Sequence, residues 1–131
     1  VNLAVSLNSP FQGEREKLMP VARVNPLKEL LNILKKFNNK CGRFTFEYVI
    51  LKDLNDSKKH AEAIIKLRNN LDFNLNLISF NKFENSQYKA PDENEVNSFM
   101  SYFKNSRVEA VKRLSKGDDI AAACGQLAGN A

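Results

Sequence analysis

One of the two cysteines in this chain, Cys124, lies near the C-terminus in the segment KGDDIAAACGQLAGN. A thiol is reactive only when it is accessible and can form a thiolate. The neighbours of Cys124 are mostly small and include no group that would ionise it, so composition alone favours a small buried residue. The preceding residues 116 to 119, KGDD, could bind a ribose or base through their carboxylates, or could cap a short helix that begins at Ile120, which composition favours.

Polar side chains also follow two of the predicted strands. Side chains alternate along a strand, so Ser6 shares a face with Asn8 at the end of the first strand. By the same alternation Asn81 continues the face of Leu77 and Ser79 in the third strand. In parallel α/β proteins the carboxyl ends of the strands form the edge where ligands bind. The two amides and the Ser6 hydroxyl could therefore line one polar mouth, although asparagine at a strand end also makes turns.

Two further residues have open assignments. Apart from Arg43 at the start, Glu47 is the one charged residue in an apolar strand, and it either contacts a ligand or pairs with a lysine or arginine, which is the safer interpretation. The sole histidine, His60, is predicted to be solvated on an outer helix. With one histidine and two widely spaced cysteines, the chain matches neither a zinc motif nor a disulfide framework, and we predict no metal site in it.

Strands and helices that alternate along the chain must position these residues. Apolar, strand-forming segments alternate with amphipathic helical patterns, and the order is strand 2–7, helix 26–38, strand 43–51, helix 57–70, strand 74–80, helix 92–103 and strand 107–114. This order indicates right-handed βαβ units, a parallel sheet and the α/β class. A complete eight-unit barrel takes about 250 residues. The 131 residues therefore form either a small open sheet or, as the abrupt start within a strand favours, about half of a barrel that belongs to a larger protein.

Composition limits the class of protein. The chain is 43% hydrophobic with a net charge of +5, which is typical of one globular domain and permits an anionic partner. It has neither a long apolar segment nor a signal-peptide pattern, so we expect no membrane association and a cytoplasmic location. Half of a barrel would leave two strand edges unpaired and an apolar interior open, which predicts a dimer or a missing partner segment.

Five segments together resemble one known family in the correct order along nearly the whole chain, and they are LAVSLNSP, REKLMPVAR, FTFEYVILKDLNDS, NLNLISFN and KGDDIAAACGQLAGN. The family is that of the radical SAM methyltransferases that modify C2 of adenine in 23S ribosomal RNA and, in many bacteria, in tRNA. The resemblance implies that Cys124 accepts a methyl group from one S-adenosylmethionine. A second S-adenosylmethionine, cleaved at a 4Fe-4S cluster, then supplies the radical that activates this methyl group for addition to the adenine, and another cysteine resolves the resulting protein–RNA link.

The same resemblance implies that Ser6, Leu7, Asn8 and Asn81 contact S-adenosylmethionine. Asn8 stands where the family more often has histidine, and Lys116 replaces a common arginine. The family's C-x-x-x-C-x-x-C cluster motif is not in the chain. We therefore expect residues 1–131 to be the C-terminal half of a radical SAM core, partnered by the missing N-terminal half of its own chain and inactive alone. The alternatives are a relative that methylates C8 and a basic RNA-binding module without catalysis.

Overall fold

The computed structural model describes residues 2–79 and 87–113. Within them the chain alternates between parallel strands and helices, and a short 3-10 helix at Pro20–Arg23 follows the first α-helix. The elements in chain order are β1 (Ala4–Ser6), α1 (Gln12–Leu18), α2 (Leu27–Cys41), β2 (Phe44–Ile50), α3 (Lys58–Leu67), β3 (Phe73–Ser79), α4 (Glu93–Ser101) and β4 (Glu109–Arg113). The predicted α/β class and parallel sheet are thus confirmed.

The four strands form one sheet in the order β1-β2-β3-β4, and every neighbouring pair is parallel. Ser6 is in register with Glu47, and Glu47 with Asn76. Each connection between consecutive strands passes through a helix, as a parallel sheet requires. Within the described residues β1 and β4 are the edge strands. Because the strands are parallel, their C-terminal ends all lie on one side of the sheet, which we call its C-terminal edge.

Helices α2, α3 and α4 cover one face of the sheet. The main core joins alternate residues of β2 and β3 to the apolar sides of these helices, for example Leu34, Ile64 and Phe99. Its centre is aromatic: the ring of Phe46 lies 4.9 Å from that of Phe44 and 4.8 Å from that of Phe73. Rings at these separations add to the free energy gained by burial.

The other face carries polar side chains and is not covered by these helices. The residues of β2 and β3 that alternate with the core residues point to it, and they include Thr45, Glu47, Asn74 and Asn76. Val111 of β4 is 50% exposed. The sequence-based expectation of an apolar interior is wrong for the middle of this face, which is polar, whereas at its C-terminal end Val49 and Ile78 pack against Leu18 and Met19.

Two helix starts follow from the local sequence. The α4 helix begins with a complete capping box, in which Asp92 Oδ1 accepts from the Glu95 N–H and Glu95 Oε1 accepts from the Asp92 N–H. The α2 helix begins directly after Pro26. Helix α1 and the 3-10 helix were not predicted, since seven residues of mixed polarity give no clear helical period.

Among the described residues, no helix is both long enough and apolar enough to cross a bilayer.

Candidate functional site

The chain leaves β1 through a left-handed turn at Asn8, whose φ is +56°. Asparagine tolerates this region better than most residues. Asn8 is 3% exposed, and its side chain makes hydrogen bonds within the protein. Its Oδ1 accepts from the Val49 N–H at 2.8 Å, and its Nδ2 donates to Met19 Sδ at 3.4 Å. The Leu7 N–H still donates to the Glu47 carbonyl, so the ladder between β1 and β2 continues beyond Ser6 through an asparagine side chain.

Arg15, on α1, binds the same segment from another side. Its Nε donates to the Leu7 carbonyl at 3.0 Å and its Nη2 to the Ser6 carbonyl at 3.2 Å. The side chain is buried, and burial lowers the pKa of the guanidinium from its ordinary value. Its Nη1 has no hydrogen-bond partner among the described residues. A buried cation that binds two consecutive carbonyls holds the end of β1 firmly, because hydrogen bonds to charged donors are the stronger kind.

A third side chain, Asn55, completes the arrangement from the loop after β2. Its Nδ2 donates to the Asn8 carbonyl at 2.9 Å and to the Val49 carbonyl at 2.8 Å. Its Oδ1 accepts from the Leu51 N–H at 2.8 Å. The backbone carbonyl of Asn55 in turn accepts from the Tyr48 hydroxyl at 2.7 Å. The C-terminal ends of β1 and β2 are thus fastened to each other by side chains.

The row Ser6, Glu47 and Asn76 crosses the face opposite α2, α3 and α4, at the last residue of β1 and at the middle of β2 and β3. All three are partly buried, and among the residues that the structure describes none of their side chains has a hydrogen-bond or ion-pair partner. The predicted pairing of Glu47 with a cation is therefore not seen in the described part of the chain. A hydroxyl, a carboxylate and an amide in one row can bind a polar ligand that presents both donors and acceptors.

His60 was predicted to be solvated, and this is wrong: it is 7% exposed. Its Nε2 lies 2.8 Å from Glu14 Oε1, and its Nδ1 lies 2.7 Å from Ser57 Oγ, the N-cap of α3. The Phe11 ring packs edge-on against the imidazole at 5.2 Å. Glu14 and His60 are 46 residues apart, so this link between α1 and α3 has no local signal in the sequence.

An open cleft of about 440 Å³ lies between α1, the loop after β2 and the segment before α4. Leu18 and Leu51 contribute apolar surface, and Lys17, Lys52 and Lys89 contribute ammonium groups. Glu14 and Asp53 also line it, and Lys52 lies 3.5 Å from Glu95, so the excess of positive charge is small. The three lysines are far apart in sequence, and sequence reasoning did not find them as a group.

The sequence-predicted site residues have different outcomes. The hydroxyl of Ser6 is available at the C-terminal edge of the sheet, whereas Leu7 is fully buried in the core and Asn8 uses its amide internally. Asn81, Cys124 and the 116–119 loop lie outside the described residues. The other cysteine, Cys41, is exposed at the end of α2, near the opposite edge of the sheet.

A resident iron–sulfur cluster does not fit this chain by itself. Across residues 2–79 and 87–113, no three His, Cys, Asp or Glu side chains lie close enough together to hold a metal ion. The full sequence has only two cysteines, fewer than the three of the family's cluster motif.

Comparison with known proteins gives consistent matches. The chain is 41% identical over 128 residues to "Probable dual-specificity RNA methyltransferase RlmN" of Clostridioides difficile, and 40% identical over 130 residues to the dual-specificity RNA methyltransferase RlmN of Syntrophotalea carbinolica. These alignments cover 97% and 98% of the chain but only 37% and 35% of the relatives. No protein-family model matches.

Solved structures agree. The crystal structure of a radical SAM methyltransferase from Sphaerobacter thermophilus matches with a TM-score of 0.85 and 36% identity, over 96% of this chain and 37% of that one. A domain of pyruvate-formate lyase-activating enzyme from Bacteroides vulgatus matches with a TM-score of 0.69 at 12% identity, covering 86% of this chain and 66% of that one, which shows a shared fold alone. The chain is therefore homologous to part of the radical SAM methyltransferases that include the RlmN proteins, and it spans a little over a third of their length.

Proposed function

We propose that this chain is the C-terminal part of the radical SAM domain of an RNA methyltransferase that modifies C2 of adenosine in 23S rRNA and tRNA. The observation that carries the proposal is about 40% identity, over almost the whole chain, to proteins named dual-specificity RNA methyltransferases. We expect an enzyme with such substrates to act in the cytoplasm. The relatives that act at C8 are the nearest alternative within the same chemistry.

S-adenosylmethionine would be held at the C-terminal edge of the sheet. Ser6 offers a hydroxyl, and the backbone around Leu7 and Asn8 lies beside it, while the internal bonds of the Asn8 side chain exclude that amide from ligand contact. Asn81 follows β3 at the same edge in sequence order. When bound, S-adenosylmethionine and a 4Fe-4S cluster supply the methyl group and the radical chemistry, and the cluster's ligands come from outside this chain.

Cys124 is proposed as the methyl carrier. Its thiolate would attack the cofactor's methyl group, so that a sulfur–carbon bond forms while the cofactor's own methyl–sulfur bond breaks. The residue then holds the carbon as a thioether near the adenine. Holding two reacting groups within one site removes much of the entropic cost of bringing them together.

RNA would approach the same edge. Lys17, Lys52 and Lys89 border a cleft whose floor is apolar, and this combination suits a single-stranded nucleotide, with phosphates near ammonium groups and a base against apolar surface. The net charge of +5 agrees with an anionic partner.

The isolated chain has two edge strands, β1 and β4, without a neighbour among the described strands. We propose that its edges associate with the rest of its own protein or with a second copy, because unpaired edges are templates for pairing. Sedimentation of the chain with and without the remainder of the protein would separate these partners.

The decisive test compares Cys124→Ala with Cys41→Ala in the full-length enzyme. We expect Cys124→Ala to abolish methyl transfer to RNA while RNA affinity stays unchanged, and Cys41→Ala to retain activity because that thiol is exposed near the opposite edge of the sheet. Mass spectrometry of the nucleosides identifies the product. Methylation by Cys124→Ala would disprove the mechanism, a C8 product would favour the alternative enzyme, and RNA binding without any product in the wild type would favour the non-catalytic module.

A further inference from the structure

We infer that Asn55 is a positioning residue for the cofactor segment, and that its buried amide sets the affinity for S-adenosylmethionine without touching it. The inference rests on the proposed function, because it takes residues 6 to 8 as the segment that contacts the cofactor. Asn55 is fully buried and lies in the loop between β2 and α3, 47 residues after Asn8.

The amide of Asn55 is saturated with backbone partners from two strand ends. Its two N–H groups donate to the carbonyls of Asn8 and Val49, and its Oδ1 accepts from the Leu51 N–H. Buried hydrogen bonds of this kind matter chiefly because their loss leaves the partner groups unsatisfied. These three hydrogen bonds of the Asn55 amide, which we call the clamp, fix how the end of β1 lies against the end of β2.

The clamp acts where the backbone most needs support. Asn8 adopts a left-handed conformation, and its own Oδ1 holds the Val49 N–H from the other direction. If the bond from Asn55 were lost, the Asn8 carbonyl would be left without its buried partner. Ser6 is two residues away, so the position of its hydroxyl depends on this turn.

Other contacts show that the clamp cannot easily be replaced. Arg15 binds the carbonyls of Ser6 and Leu7, but not that of Asn8. Tyr48 donates to the backbone carbonyl of Asn55 and so holds the clamp itself in place. Removal of the Asn55 amide donor would shift the ligand-facing segment while leaving the reacting groups chemically intact.

The chain contains a matched control at the opposite edge of the sheet. Asn38 Nδ2 donates to the carbonyls of Gly42 and Asp72, at 2.8 and 2.9 Å, and its Oδ1 accepts from the Asp72 N–H at 2.8 Å. This asparagine makes the same set of backbone bonds as Asn55, but near the N-terminal ends of β2 and β3. Asn38 is only partly buried, whereas Asn55 is fully buried. A purely structural role therefore predicts a larger loss of Tm for Asn55 but no specific loss of cofactor affinity.

The experiment introduces Asn55→Asp and Asn38→Asp separately into the full-length, cluster-containing protein. Calorimetry measures the Kd of S-adenosylhomocysteine, kinetics gives KM for S-adenosylmethionine and kcat, and thermal unfolding gives Tm. We expect both variants to have a lower Tm. Only Asn55→Asp should raise Kd and KM, by about tenfold, which corresponds to about 1.4 kcal/mol, with kcat at saturating cofactor changed by less than about threefold.

A wild-type Kd for Asn55→Asp, or an equal rise for Asn38→Asp, would overturn the inference. If Asn55→Asp does not fold, Tyr48→Phe takes its place, since it removes only the bond to the Asn55 carbonyl. A raised Kd in that variant supports the inference, and an unchanged one overturns it. Failure of the wild-type protein to bind S-adenosylhomocysteine would instead count against the proposed function.

Discussion

Asn8 and Asn55 are separated by 47 residues, yet the carbonyl of the first accepts a hydrogen bond from the amide of the second. Both are residue types that sequence reasoning assigns to turns or helix caps. His60 and Glu14 form a similar long-range pair. At this scale the polar residues of the C-terminal edge divide into internal connectors and the row that contains Ser6, which remains available to a ligand.

Asp56 offers a prediction about pH at the level of one residue. Burial is the largest cause that raises the pKa of its carboxyl from 3.8, and the charges of Asp53 and Glu95 act in the same direction, against hydrogen bonds from the backbone. A raised folded-state pKa means that the folded protein holds this proton more tightly than the unfolded chain does. The resulting stabilisation is complete below 3.8 and is lost as the pH rises through the higher, folded-state value.

We therefore expect Asp56→Asn to stabilise the protein relative to the wild type increasingly as the pH rises from below 3.8 to neutral. Urea denaturation at a series of pH values measures this difference in the free energy of unfolding. Glu62→Gln, which removes one charge from an exposed position on α3, is the control. A difference for Asp56→Asn that stays constant with pH would contradict the prediction.

At the scale of elements, the helices that cover the sheet follow from local patterns, whereas α1 does not. The α2 and α3 helices are amphipathic, with apolar residues at helical spacing on the side that faces the core. Helix α1 has seven residues and buries Arg15 together with Leu18. A buried arginine runs against the pattern from which buried faces are predicted.

The capping box of α4 gives a prediction for one element. Asp92→Ala removes a side chain that accepts from the Glu95 N–H at 2.7 Å, and we expect it to cost about 1 kcal/mol of stability. Glu93→Ala, an exposed acidic residue in the same first turn, should cost less because it is not part of the cap. Denaturation midpoints of the two variants test the comparison, and equal midpoints would show that the cap contributes no more than the general charge effect at the helix N-terminus.

For the whole molecule, the important feature is one sheet face covered by α2, α3 and α4 and a second face that is polar near Ser6, Glu47 and Asn76. The chain does not supply the three cysteines of the family's cluster motif, since it contains two. The cluster proposed for the full-length enzyme must take its ligands from other residues.

This leads to a prediction about metal content. After anaerobic reconstitution with iron and sulfide, the full-length protein should be brown and contain stoichiometric iron, while residues 1–131 alone should remain colourless. Elemental analysis and visible absorption spectra of both preparations, with folding verified by circular dichroism, provide the measurement. Stoichiometric iron in folded residues 1–131 would contradict the proposal that the ligands of the cluster lie outside this segment.

The sequence by itself determined the alternation of strands and helices, the parallel sheet and the family, because helix periods, caps and family motifs are contiguous in the chain. For example, Asp92 and Glu95, which form the capping box of α4, are only three positions apart. Only the tertiary structure decided which polar residues at the strand ends are free to meet a ligand. Asn8 joins Val49 and Asn55 across 41 and 47 residues, and hydrogen bonds over such distances depend on the path of the whole chain.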